Sequence, residues 1–107
     1  MKLTVTGRKI EITDGIRDHL NDKMDKTLSS LGEEADVHVA LSVEKNRHFA
    51  EITVKTKGFT VHSHEETHDL YASMDKALEK MEKQLRKHKE KAKDLRIKQG
   101  SNSKNQY

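Results

Sequence analysis

Apolar residues recur along this 107-residue chain with two different periods, and the switches between them predict six elements. Leu3 and Val5 alternate with Lys2, Thr4 and Thr6, which predicts a short first strand, and Gly7 is expected to turn the chain. Thr13 or Asp14 can cap a helix whose apolar stripe is Ile16, Leu20, Met24, Leu28 and Leu31, with Gly32 as its stop. Val37, Val39, Leu41 and Val43 alternate strictly, as in a half-buried strand. Lys45-Asn46-Arg47 makes a tight connection to a third strand with Ala50, Ile52 and Val54 inward. Lys57-Gly58 turns into a fourth strand, with Phe59 and Val61 on one face and Thr60, His62 and His64 on the other. Connections this short make an antiparallel meander the economical pairing of these three strands.

The last element is helical. Thr67 is expected to cap it and Asp69 to favour its first turn through the helix dipole. Leu70, Tyr71, Met74, Ala77, Leu78, Met81, Leu85, Ala92 and Leu95 keep helical spacing to about residue 96. Such a helix is about 40 Å long at 1.5 Å per residue, whereas strands of eight to ten residues reach about 30 Å. Its C-terminal end should therefore outrun the sheet. Tyr71, Met74 and Met81 read as core, and His88 falls on the apolar face near that overrun. The expected class is α+β, in the order β-α-β-β-β-α, a four-stranded sheet with two helices packed on one face. Residues 1–98 make one domain and residues 99–107, which lack periodicity, a disordered tail.

Composition narrows the setting. Proline and cysteine are absent, so neither a disulfide framework nor a thiolate metal site is available, as suits a reducing cytosol. The N-terminus lacks the apolar stretch of a signal peptide and no segment is long enough to span a bilayer, so no membrane partner and a cytoplasmic location are expected. The formal charge of +3 hides an asymmetry: residues 1–75 hold 10 Lys/Arg against 14 Asp/Glu, whereas residues 76–107 hold 11 against 4. A basic C-terminal third on a slightly acidic body points to a directional contact, with nucleic acid the leading partner.

The helical wheel sorts these charges. Lys76, Lys80, Lys83, Lys87 and Lys91 fall within about 80° on one flank of the apolar stripe. Asp75, Glu79, Glu82 and Glu90 lie toward the opposite flank and back, mixed with Arg86, Lys89 and Lys93. In the first helix His19, Lys23 and Lys26 recur at i, i+4 and i+7. If the helices run parallel, one stripe faces the groove between them and the other faces outward, together making a broad basic surface. An ordinary solvated helix face is the bland alternative, and segregation of lysines from carboxylates argues against it. A phosphate backbone suits such stripes because each neutralised phosphate releases counterions. With only Phe49, Phe59, Tyr71 and Tyr107 as aromatics, base stacking fits less well than recognition of folded RNA by shape and phosphates.

Catalytic chemistry finds little support. His62-Ser63-His64 and His68 resemble a metal-ligand run, but the segment His-Ser-His-Glu-Glu-Thr-His lacks the H-x-H-x-D-H spacing of metallo-hydrolases and any remote ligand. No G-x-S-x-G, P-loop or glycine-rich nucleotide fingerprint occurs. The expectation is a non-enzyme with no metal and no cofactor.

Three segments add a resemblance. Ile10-Glu11-Ile12-Thr13 with Ile16-Arg17 resembles the opening of the ribosome hibernation promoting factor and ribosome-associated inhibitor family. Asp69-Leu70-Tyr71-Ala72-Ser73-Met74-Asp75 resembles its D-x-Y-x-A-I-D helix opening, and Lys83-Gln84-Leu85-Arg86-Lys87-His88-Lys89 its later basic turn. The likeness runs in order from residue 1 to about 95. It implies a fold similar to the double-stranded RNA-binding domain and docking between head and body of the small ribosomal subunit, across the messenger and transfer RNA sites. The implied partners are 16S ribosomal RNA and neighbouring ribosomal proteins, met by a chain that is monomeric when free. By motif the implied RNA-binding residues are Lys23, Lys26, Lys80, Lys83, Lys87 and Lys89, with Lys76, Arg86 and Lys91 added from the wheel. Met74 stands where the family often has isoleucine, a volume-conserving change. The tail lacks the acidic run of the inhibitor type, which favours the short, dimer-promoting subtype. A generic RNA-binding module and a protein-interaction module using the acidic first 75 residues are the competing readings.

Overall fold

The computed structural model describes residues 1–101, with side chains described for residues 1–89. The order is β1 (Lys2–Arg8), α1 (Asp14–Leu31), β2 (Asp36–Glu44), β3 (Arg47–Lys55), β4 (Thr60–Thr67) and α2 (Leu70–Ser101). This is the expected β-α-β-β-β-α arrangement. The strands lie side by side in the order β1-β2-β3-β4, with β1 parallel to β2 and the remaining pairs antiparallel. A parallel β1–β2 pair requires a crossover, and α1 supplies it. Because β4 then runs in the same sense as β1, both helices return in the opposite sense and lie parallel to each other.

One face of the sheet is buried under the helices. Val37, Val39 and Leu41 of β2, Ala50, Ile52 and Val54 of β3 and Val61 of β4 meet Ile16, Leu20, Met24 and Leu28 of α1 and Met74, Ala77, Leu78, Met81 and Leu85 of α2. The apolar positions follow period two in the strands and the helical period in the helices, so each element can bury only one side. Two serines share this interior. Ser63 Oγ donates to the Ala77 carbonyl at 2.8 Å, and Ser73 Oγ donates to the His48 carbonyl at 2.7 Å. Both hydroxyls fasten α2 to the sheet.

Thr13 is the cap of α1, its hydroxyl accepting from the Ile16 amide at 3.2 Å, and Gly32 ends the helix at φ 66°. Three expectations are corrected. Gly7 does not turn the chain: β1 runs on to Arg8, and the left-handed residue is Lys9 at φ 62°. A side chain at Gly7 would put a Cβ 2.6 Å from the Ile10 carbonyl oxygen, so close approach explains that glycine. Asp69, not Thr67, caps α2, accepting from the Ala72 amide at 3.0 Å, while Thr67 Oγ1 accepts from the Asp69 amide and orders the approach. Tyr71 is not core but 42% exposed, because it stands beside the apolar stripe and meets the edge of His19 instead.

α2 extends to Ser101, beyond the residue-96 limit of its apolar spacing. Among the described side chains, buried positions on it reach Leu85, and His88 then stacks flat on Phe59 at 4.3 Å between ring centroids, pinning the helix against the β3–β4 turn. Of the tail expected over residues 99–107, residues 102–107 lie outside the described residues.

Candidate nucleic-acid interface

The two helices are registered by polar contacts at both ends of their groove. His19 Nε2 lies 2.7 Å from Asp75 Oδ1, and Lys89 Nζ lies 3.0 Å from Glu33 Oε2. Each pair is separated by 56 residues (75 − 19 and 89 − 33), as expected for parallel helices running alongside without a shift. These contacts identify the flank of α2 that faces α1: Asp75, Glu79, Glu82 and Lys89 share it by helical spacing.

Lys76, Lys80, Lys83 and Lys87 lie on the other side of α2, toward the β4 edge of the sheet. Lys80 Nζ reaches Glu65 Oε2 of β4 at 2.6 Å. That hydrogen bond holds the Glu65 carboxyl below the usual glutamate range, assisted by the charges of Lys80 and Lys76 against partial desolvation. Gln84 Nε2 donates to the His62 carbonyl at 2.9 Å, covering one acceptor on the open edge of β4. Between helix and strand edge lies a cleft of about 620 Å3 whose lining includes His62, His64, Lys80, Lys83, Arg86 and Lys87. Lys76, Lys83 and Lys87 have no carboxylate at ion-pair distance among the described residues. Uncompensated cations along a concave edge concentrate positive potential there.

The nine basic residues of the sequence analysis therefore fall into distinct places. Lys76, Lys80, Lys83 and Lys87 form one stripe. Lys23 and Lys26, one and two turns beyond His19, are exposed on the groove side of α1. Arg86 binds Glu82 one turn away at 2.9 Å while lining the β4 cleft, and Lys89 binds Glu33 on the α1 side; both are already paired. The side chain of Lys91 lies outside those described. Asp75, Glu79 and Glu82 on the groove flank of α2 stand between the two lysine stripes of the broad basic surface expected. His62 and His64 do share a strand face, but among the described residues no three His, Cys, Asp or Glu side chains converge as a metal-ligand set.

The family model described as Sigma 54 modulation protein / S30EA ribosomal protein matches residues 3–93. The chain belongs to that family. Proteins named ribosome hibernation promoting factor are 36% identical over 93 residues in Escherichia coli (strain K12), covering 87% of this chain and 98% of the relative. The Pseudomonas putida relative of the same name is 33% identical over 95 residues, covering 89% and 93%. Among solved structures, the N-terminal domain of Thermus thermophilus Protein Y superposes with a TM-score of 0.77 at 35% identity, covering 82% of this chain and 99% of that one. A ribosomal subunit interface protein from Coxiella burnetii gives 0.76 at 26% identity, covering 83% and 98%. Family membership bears out the resemblance drawn from the three sequence segments. The matched span contains both lysine stripes and both helix-pairing contacts.

Pairwise contacts between elements were beyond sequence reasoning. His19–Asp75, Lys89–Glu33 and Lys80–Glu65 link residues far apart in the chain, and only the last joins a lysine of the outward stripe. A wheel assigns a flank but not what lies opposite it.

Proposed function

We propose that the protein is a ribosome hibernation factor, with residues 1–98 as the unit that binds the small ribosomal subunit at its messenger and transfer RNA decoding region. Occupying that region blocks translation without any chemical step, and the same reading includes a role in forming inactive ribosome dimers. The observation that carries this reading is the stripe of Lys76, Lys80, Lys83 and Lys87 beside the β4 cleft, segregated from the acidic flank that α2 turns to α1. A row of cations at helical spacing suits a phosphate backbone, and the names of the Escherichia coli and Pseudomonas putida relatives supply the ribosomal context. Lys23 and Lys26 make a second row for the same RNA, Arg86 and Lys91 extend the first, and Lys89 adds a cation on the flank turned to α1. The protein acts in the cytoplasm, monomeric until it meets the ribosome.

Sucrose-gradient profiles of ribosomes with and without the protein test this directly. Co-sedimentation with small subunits, and inhibition of translation that saturates at one protein per ribosome without added nucleotide or metal, are expected. Multiple-turnover inactivation by a trace of protein would overturn occlusion. A dimer peak separates the dimer-promoting reading from stabilisation of inactive monomeric ribosomes, and equal affinity for unrelated folded RNA would reduce the protein to a generic RNA-binding module.

A further inference from the structure

The sheet face turned away from the helices carries an aromatic residue that neither the core nor the lysine stripe uses. Phe49 of β3 sits on that face, opposite Ser42 of β2 and Glu66 of β4. A phenylalanine on the solvent side of an antiparallel sheet breaks the usual apolar-in, polar-out alternation. On the β2 side Ala40 and Ser42 are small, so a depression of about 450 Å3 opens beside the ring and reaches Thr6 and Arg8 of β1. Its remaining walls carry Arg8, Glu44 and Glu51. Arg8 and Glu44 have no ion-pair partner among the described residues, and Glu51 meets only His62, at 4.0 Å.

The aromatic surface is broader than one ring. His64 of β4 lies 6.1 Å from Phe49 between centroids, tilted by 35°. Arg47 lies over the Phe49 ring at 5.2 Å and is held there by Glu66 at 2.7 Å, which fixes the platform. The ring's border on the depression stays open. Sheet-face aromatics of this kind stack nucleobases in single-stranded RNA recognition.

We infer that this depression binds one unstacked guanine of single-stranded RNA, an inference that rests on the RNA-binding reading above. Phe49 supplies the stacking surface. A carboxylate accepts two adjacent donors, and the guanine N1–H and N2–H2 edge offers two side by side, whereas adenine and cytosine each put an acceptor next to their amino group. Glu44 and Glu51 are the carboxylates available. Arg8 then suits the guanine O6 and N7 acceptors, the commonest base-specific partners of arginine. The volume suits a nucleoside-sized ligand. This site adds base recognition on a face of the sheet separate from the lysine stripe of α2.

The test uses the full chain labelled with 15N and titrated with uridine hexanucleotides carrying a single central G, A or C. The G-containing strand should shift the amides of Ser42, Phe49 and Glu51 and bind about 5- to 150-fold more tightly than the others, the discrimination of one good bidentate contact. Phe49→Ala should weaken it by about 5- to 150-fold, the range for one stacked base, with an unchanged melting curve, and Phe49→Tyr should restore it. Glu44→Gln with Glu51→Gln should erase the preference for G. Shifts confined to the amides around Lys76–Lys87, equal for every base, would overturn the inference and leave the phosphate-binding reading intact. No shifts anywhere, together with no binding to small subunits, would overturn both. Saturation of the depression by an arginine-rich peptide while every oligonucleotide leaves it untouched would assign it to a protein partner instead.

Discussion

His19 Nε2 and Asp75 Oδ1, 2.7 Å apart, join the sixth residue of α1 to the sixth of α2 and set the two helices in parallel register. The imidazole side chain is 25% exposed and the carboxylate 55%, so solvent screens the contact. A double-mutant cycle with His19→Ala and Asp75→Ala, followed by urea denaturation, should give a coupling of about 0.2–1 kcal/mol. A larger coupling would mean that the contact fixes the helix pair rather than trimming it.

Stability should fall on the acid side of the ordinary glutamate range. The hydrogen bond from Lys80 lowers the Glu65 pKa, and that from Arg47 lowers the Glu66 pKa. In the unfolded chain both carboxylates protonate first, near about 4.3, so the unfolded state binds more protons in that window. The stabilisation is therefore complete above that value and lost as pH falls through the lowered folded values. Thermal melts between pH 6 and about 2.5 should show the decline, and Glu65→Gln with Glu66→Gln should flatten it.

Lys83 and Lys87 should carry more of the salt dependence of ribosome binding than Arg86 or Lys89, which are already paired with Glu82 and Glu33. Each phosphate contact contributes about 0.7–0.9 to the log–log salt slope. Changing Lys76, Lys80, Lys83 and Lys87 together to alanine should flatten it by about 3 if all four make contact. Circular dichroism should be unchanged, since alanine is a good helix former. Lys80 must leave Glu65 to meet a phosphate, so Glu65→Gln should tighten binding. An unchanged slope in the folded quadruple variant would remove this flank from the RNA-facing surface.

Leu20 is fully buried between α1 and the sheet, and Leu20→Ala should cost about 2–5 kcal/mol in urea denaturation. Gly32→Ala meets open space but must keep φ at 66°, so its cost should be about 1–2 kcal/mol, from the backbone alone.

Chelators should leave the melting curve unchanged, because His62, His64 and His68 do not gather into a ligand set with a third carboxylate or imidazole among the described residues. Stoichiometric zinc in the purified protein, lost on replacing the three histidines, would contradict this.

The element order and the inward faces of both helices were legible along the chain because each depends on local spacing. The stripe Ile16, Leu20, Met24 and Leu28, the alternation Val37, Val39, Leu41, and the stop at Gly32 are decided by the geometry of a single element. The segregation of Lys76, Lys80, Lys83 and Lys87 from Asp75, Glu79 and Glu82 is local in the same way. What lies opposite a residue is not. The parallel pairing of β1 with β2 makes the helices parallel, and that alone brings Asp75 to His19 and Glu33 to Lys89. Tyr71 falls at the margin of the apolar spacing, and in the folded protein it stands outside the core against the edge of His19. Phe49 reads in sequence as one aromatic among four. Only the register of three strands, which puts Ala40 and Ser42 beside it and Arg8 beyond them, makes it the wall of a depression, because cross-strand neighbours are set by pairing and not by proximity in the chain.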